Sequence, residues 1–487
     1  MFFQGVEFMF SLKHHVRRHA MMIAAVAATV GFAAASHAAI ITWDPNTVWD
    51  PDNTTGGFNN TELNFFATDG VTHINANPGT NPPGIDTGDD VHFGPLSPGT
   101  YAGIQVNGTA SFTYPNTTTP ILCTVVKTLT LEGGGYTFAG DSAIYITSTN
   151  GSTPRLTSIG INAINSVLLP NIGTVAELNV TGELTINTLI PTGAGTLTKT
   201  GDGVLRVGAL NSTNVRYGLD IQQGSVILSG TANQVAGTLT VEAHSTLATP
   251  IGETMITRAA TGIFQFNGHL AIGDADTPAG AIGKLTLRGS NSNGGNVTVN
   301  FGTGSIFDLD LLTPDLDLEK NPFLVNPGQH DSISIDRYRW DQSILNVAAG
   351  ATIDIHAMSD DGSLDPGFYR IITLGSFYIG TQTDVQTTCT INYTDADGSI
   401  VIDDFSTHDS PYYDADSDSY HLANLFTIEN PDPRYSYDFV IYGSGTTAFN
   451  NTGVYLKITL NPVPEPASLG FMGLGCGFLF LRGKRRS

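Results

Sequence analysis

Apolar and polar residues alternate in short runs through most of this 487-residue chain. Thr128-Leu129-Thr130-Leu131, Glu177-Leu178-Asn179-Val180, Glu183-Leu184-Thr185-Ile186 and Lys284-Leu285-Thr286-Leu287 all have period two, the mark of half-buried strands. Gly, Asn and Asp divide these runs into pieces of four to six residues, and no long stretch carries a strong 3.6-residue apolar period. A slower period lies on top. Leu197, Leu219 and Leu239 occupy similar places 22 and 20 residues apart, and Leu205, Ile227 and Leu247 repeat those intervals. About 20 residues per unit, with two or three short strands in each, predicts an all-β solenoid whose rungs bury their apolar sides on one another. The expected solenoid spans 101–374, behind a loop-rich capping region at 39–100. The strands expected at 390–393, 399–402, 438–442 and 454–458 belong to a C-terminal β region, 375–461, that either closes the solenoid or forms a small separate domain.

The two ends follow different patterns. Lys13, Arg17 and Arg18 precede an apolar run at 20–35, and Ser36-His37-Ala38 places small residues at positions −3 and −1. Residues 1–38 therefore read as a secretory signal peptide cleaved after Ala38. At the other end, Pro464-Glu465-Pro466 is followed by an apolar segment and then by Arg482, Lys484, Arg485 and Arg486. The prolines hold the chain extended, and the basic cluster stays on the cytoplasmic side of a membrane. Residues 467–481 span about 22 Å as a helix, short of the roughly 20 residues a permanent crossing needs, and they contain four glycines. A short sorting helix and transient inner-membrane anchoring are expected. The three-part order over 462–487 resembles the PEP-CTERM signal of bacterial surface proteins. The resemblance implies an exosortase-type membrane processing enzyme as partner.

A second resemblance sits in the body. Gly195-Thr196-Leu197-Thr198-Lys199-Thr200-Gly201-Asp202-Gly203-Val204-Leu205, followed by Gly224-Ser225-Val226-Ile227-Leu228, resembles the autotransporter-associated β-strand repeat, here near 193–230. Val226 and Ile227 stand where that family favours Leu. The resemblance implies a right-handed parallel β-helix used as a surface scaffold or adhesin-like stalk. The chain lacks the run of amphipathic strands with which an autotransporter builds its own outer-membrane barrel, so other export machinery is expected.

Charge narrows the partners. Without residues 1–38 and 464–487, 14 Lys and Arg (21 less 7) face 42 Asp and Glu (44 less 2), a balance of about −28. Such a body repels nucleic acid and anionic lipid, whereas divalent cations and the polymers they bridge are compatible with it. Cys123 and Cys389, the two cysteines of the body, are distant in sequence, and no disulfide between them is expected.

Candidate chemistry is sparse. Asp414, Asp416 and Asp418 alternate, together with Asp409, in a way that can aim carboxylates at Ca²⁺, but Ser419 and Leu425 replace the Gly and Glu of an EF-hand loop. A solvated acidic loop is the favoured reading, and no cofactor is expected. Trp43 and Trp49 serve either as an end cap or, with Tyr412 and Tyr413, as glycan-stacking residues. Asp331, Asp336, Arg337, Tyr338, Arg339 and Trp340 bring acid, base and aromatic together, as a polysaccharide-degrading β-helix enzyme would need. Adjacent strand residues face opposite ways, which argues for a charged strand edge instead. Beyond residues 1–38 the histidines contain no His-x-His or His-x-x-x-His pair. The reading reached is an exported, non-catalytic structural or adhesin-like protein of the cell surface or extracellular matrix, with extracellular polysaccharide or other envelope components as partners. A carbohydrate-binding protein and a polysaccharide-degrading enzyme are the alternatives.

Overall fold

The computed structural model describes residues 63–462, apart from connecting segments that include 77–89, 316–328, 378–388, 403–412 and 443–452. The described residues are all-β. They hold strands and turns, with no helix long and apolar enough to cross a membrane. The signal peptide and the sorting tail lie outside them.

Most strands pair in parallel with a strand one period later, and the pairs form three stacks. The first begins with Asp90–Phe93 and Thr128–Leu131 and continues through Thr196–Thr200, Gly218–Ile221 and Leu239–Val241 to Cys389–Asp395. The second runs from Val71–Ala76 through Val204–Leu210, Ser225–Leu228 and Thr246–Ala248 to Thr427–Glu429. The third contains Pro120–Val126 and Ala143–Ile146 and later Gly252–Thr257, Gly283–Arg288 and Ser332–Arg337. Two long strands, Arg155–Pro170 and Val175–Leu189, pair with each other along most of their length and pass through all three stacks.

Apolar ladders fill the space between the stacks. Leu197, Leu219 and Leu239 are directly in register, as the sequence period predicts, Phe264 follows them, and each is almost fully buried. In the second stack the ladder is Leu184, Leu205, Val226, Leu247, Leu270, Phe307 and Ile353. Val226, not Ile227, is therefore the inward residue between Leu205 and Leu247. Ser225–Leu228 has three buried apolar residues in a row, so alternation gives no parity there. Ile227 points the other way and packs with Ala248 and Ala271 in a separate small cluster. Burying each such side chain is worth roughly 1.5–3 kcal/mol relative to exposure.

Backbones meet very closely at the corner between the first and second stacks. Gly134, Gly160, Gly182, Gly203 and Gly224 lie there on successive rungs. A Cβ on Gly203 would stand 2.3 Å from the Gly182 carbonyl oxygen, and one on Gly182 would stand 2.4 Å from that of Gly160. Gly182 also has φ +108°, a backbone conformation L side chains rarely adopt. This accounts physically for the paired glycines of the 195–205 motif. Its lysine has an equally local role. Lys199 occupies a ladder position between Leu178 and Ile221, fully buried, and its ammonium donates to the carbonyls of Gly201 (2.7 Å) and Gln223 (2.8 Å). One side chain thus ties two successive turns. Burial pushes its pKa down to about 8, against the opposing charge of Asp202.

The N-terminal end departs from expectation. Strands are already present within 39–100: Leu63–Thr68 and Val71–Ala76 form an antiparallel hairpin, and Val71–Ala76 pairs in parallel with Ala102–Asn107. Asp69-Gly70, the only residues between the two strands, is a two-residue hairpin sequence obscured by the Gly, Asn and Pro around it. At the other end the parallel pairing stops. Gly398–Ile402 folds back on Cys389–Asp395 at the Asp395/Gly398 turn. Gly453–Leu460 pairs antiparallel with Gly367–Phe377, and Tyr435–Tyr442 and Ser419–His421 extend that sheet. Their buried residues, including Phe439, Leu456 and Ile458, join the same core as Leu156 and Leu197, so these strands pack onto the stacks.

Gly203→Ala is expected to destabilise the protein by about 1–3 kcal/mol through overpacking, read as a lower urea midpoint. Lys199→Met leaves two turn carbonyls without their donor, at a cost of about 1–3 kcal/mol. Because the folded-state pKa of Lys199 lies below its unfolded value, the unfolded chain binds the extra proton between pH 8 and 10.5. Wild-type stability therefore rises with pH in that window, and the gap to Lys199→Met widens; a constant gap in urea titrations across it contradicts the assignment.

Candidate functional site

Asp331 and Asp336 do not form the exposed strand edge that the sequence favours for them, because both are buried. Asp331 is fully buried, and its carboxylate accepts the N–H of Gly283 (2.7 Å) and of Asp310 (2.9 Å). It thereby links the third stack to the second. Asp336 lies opposite Arg288 in the pairing, bonds Arg288 Nη2 at 2.9 Å and accepts the Ser334 hydroxyl at 2.6 Å. Both carboxylates are bound to neighbouring strands and not directed at a cleft. The side chain of Arg337, and residues Tyr338, Arg339 and Trp340, lie outside the described residues. Close by, His330 contacts Asp315 (2.7 Å), which also accepts the Arg370 N–H (2.6 Å), a further buried link between strands.

The Asp414 region is a hairpin. Asp414 pairs with Ser419 across antiparallel strands, which leaves residues 415–418 as the connection. His421 stands between Asp438 (2.8 Å) and Asp414 (3.6 Å). Asp409, Asp416 and Asp418 lie outside the described residues, as do Tyr412, Trp43, Trp49, Ala38, Pro464, Glu465, Pro466, Arg482, Lys484, Arg485 and Arg486. Cys123 is buried beside Ala143 and Leu169, and burial pushes its thiol up to about 11.

Two surface features were not singled out in the sequence. A shallow groove of about 730 Å³ crosses the outer face of successive turns, lined by Glu177, Asn179, Thr200, Asp202, Gln222 and His244 among others. It lies directly above the turns that Lys199 holds. The second feature is a group of histidines and carboxylates on the outward face of the second stack. Asp308 and Asp354 are directly in register on adjacent strands, and Glu429 follows on the next. His356 follows Asp354 by two residues, hence on the same face. His269, one strand earlier, places Nε2 2.7 Å from Asp308 Oδ1. His356 Nε2 lies 3.5 Å from Asp354 and 3.9 Å from Asp308.

The electrostatics of this group are mutual. Burial alone raises the pKa of Asp308, but the two histidines outweigh it and hold the carboxyl below its usual range. Burial alone lowers His269, and the Asp308 carboxylate outweighs that and raises it. His356 is raised chiefly by Asp308, against burial. Asp308, Asp354 and His356 bring ligand atoms within 4.8 Å of one another, as no other set of three such residues does among the described residues. In the sequence only Asp354-x-His356 hints at it, because His269 and Asp308 arrive from distant segments.

Scans against models of protein families, curated proteins and solved structures find no match. The two resemblances therefore stand on their own motifs.

Asp331→Asn is expected to lower stability by about 1–3 kcal/mol, since an amide nitrogen would face one of two buried N–H donors. The check is urea unfolding alongside assays on acidic polysaccharides. A variant of unchanged stability that abolishes a measurable turnover would make Asp331 catalytic and not architectural.

Proposed function

We propose that this chain is an exported structural protein of the cell surface or extracellular matrix, built as a right-handed β-solenoid and processed at its C-terminus by an exosortase-type enzyme. The observation that carries the solenoid is the parallel, in-register pairing of the three stacks, in which the chain visits each in turn before returning to the first. Twelve strands of the second stack, from Val71–Ala76 to Thr427–Glu429, at about 4.8 Å each give a body about 5 nm long. The sequence at 1–38 and 462–487 supports export and sorting. The acidic balance of the body supports a partner bridged by cations or rich in hydroxyl groups.

A non-catalytic role fits the use of Asp331 and Asp336 as bonds between strands. Carbohydrate binding is the second reading. The groove above Gly201 and Gly224 favours it, because its amides, hydroxyls and carboxylates match the donors and acceptors of sugar hydroxyls.

Intact mass of the protein recovered from the producing cell tests the proposal. A chain starting after Ala38 and ending near Pro464–Pro466, found in the envelope or the medium, is the expected result. A full-length chain confined to the cytoplasm overturns it.

A further inference from the structure

We propose that Asp308, Asp354 and His356, with His269 beside them, form a binding site for one divalent first-row transition ion of the Zn²⁺ class. The residues come from three successive strands of the second stack, His269–Ala271, Ile306–Thr313 and Thr352–Ala357. Four arguments support the site. Around an ion with bonds of about 2.0–2.1 Å, tetrahedral ligand atoms stand about 3.3 Å apart; His356 Nε2 lies 3.5 Å from Asp354 and 3.9 Å from Asp308. Asp308, Asp354 and Glu429 stack in register on three strands in a row, where carboxylates repel, and a cation among them adds to the compensation that the two histidines already give Asp308. Asp308 is 8% exposed although it faces outward, which raises the local strength of any charge interaction.

The fourth argument is His269. Its Nε2 is sealed from solvent and pairs with Asp308 Oδ1 at 2.7 Å, so a second imidazole stands against the central carboxylate. Carboxylates that ligate an ion are themselves held by such neighbouring partners, so His269 orients Asp308 for the ion. Imidazole with carboxylates selects Zn²⁺, Mn²⁺ or their neighbours over Ca²⁺ and Mg²⁺, which prefer all-oxygen sites. The position has a use. Leu270 pairs with Phe307 and Phe307 with Ile353, intervals of 37 and 46 residues where earlier rungs take about 21. An ion bridging these strands closes excursions about twice as long as those of the preceding rungs, and loop closure costs more as the loop lengthens.

The test uses the purified, chelator-treated protein titrated with ZnCl₂ by calorimetry, with thermal unfolding in parallel. Wild type is expected to take up one equivalent more than His356→Gln or Asp354→Asn, or to hold it at least tenfold more tightly. Zn²⁺ is also expected to raise its Tm and to leave that of His356→Gln unchanged, and MgCl₂ at equal concentration is expected to shift neither. Equal stoichiometry and affinity in wild type and both variants, or no uptake by wild type, overturns the site. Co²⁺ added to wild type alone gives a reading free of any folding defect in the variants: visible d–d absorption of an imidazole-ligated ion is expected, and its absence overturns the proposal as well.

Discussion

The closeness of successive rungs at one corner constrains everything else in this protein. Where the first stack turns into the second, backbone lies on backbone with no room for a Cβ, as at Gly182 and Gly203. The apolar ladders can meet in register only if the corner does not hold the rungs apart. The turn carbonyls crowded there need donors, and Lys199 supplies them from beneath. A buried ammonium is costly unless hydrogen-bonded. Here its two bonds join consecutive turns, so the charge is held where it fixes their spacing.

Polar side chains follow the same logic on the outer face. Gln265, Asn300, Asn346 and Asn392 are in register in the first stack. Each asparagine amide donates to the residue of the preceding rung, at 2.8, 2.5 and 2.6 Å. Inside, aromatic rings continue the ladders, with Phe266 and Phe301 stacked at 5.5 Å and Phe426 edge-on to Phe301 at 5.3 Å. Phe426 belongs to the C-terminal region, and its insertion explains why that region is continuous with the core.

Alternation and the spacing of Leu197, Leu219 and Leu239 made the strand content and the early register legible in the sequence, because each rung there is short and nearly constant in length. Register failed at Ile227, where an apolar run erased parity. It could not be extended past residue 270, because the pairing of Phe307 with Ile353 spans an interval no simple period predicts. The hairpin at 63–76 was hidden by its turn-rich surroundings. The histidine–carboxylate group was invisible for a different reason: its members are near only after stacking, and a scan for local metal-ligand spacings looks along the chain, not across strands. The structural use of Asp331 was equally hidden, since nothing in a sequence distinguishes a carboxylate that binds backbone N–H groups from one that faces substrate.

The unequal intervals have a consequence for how such a protein can change. Leu184 meets Leu205 after 21 residues, and Ile353 meets Ile428 after 75, with the same parallel pairing in both cases. What the stack requires is a few residues of strand and a corner that fits. Whatever length of chain departs between two strands can be replaced without disturbing the layers above and below. The ladder is a fixed spine from which excursions can differ in length independently of one another, so new surface can be acquired one rung at a time.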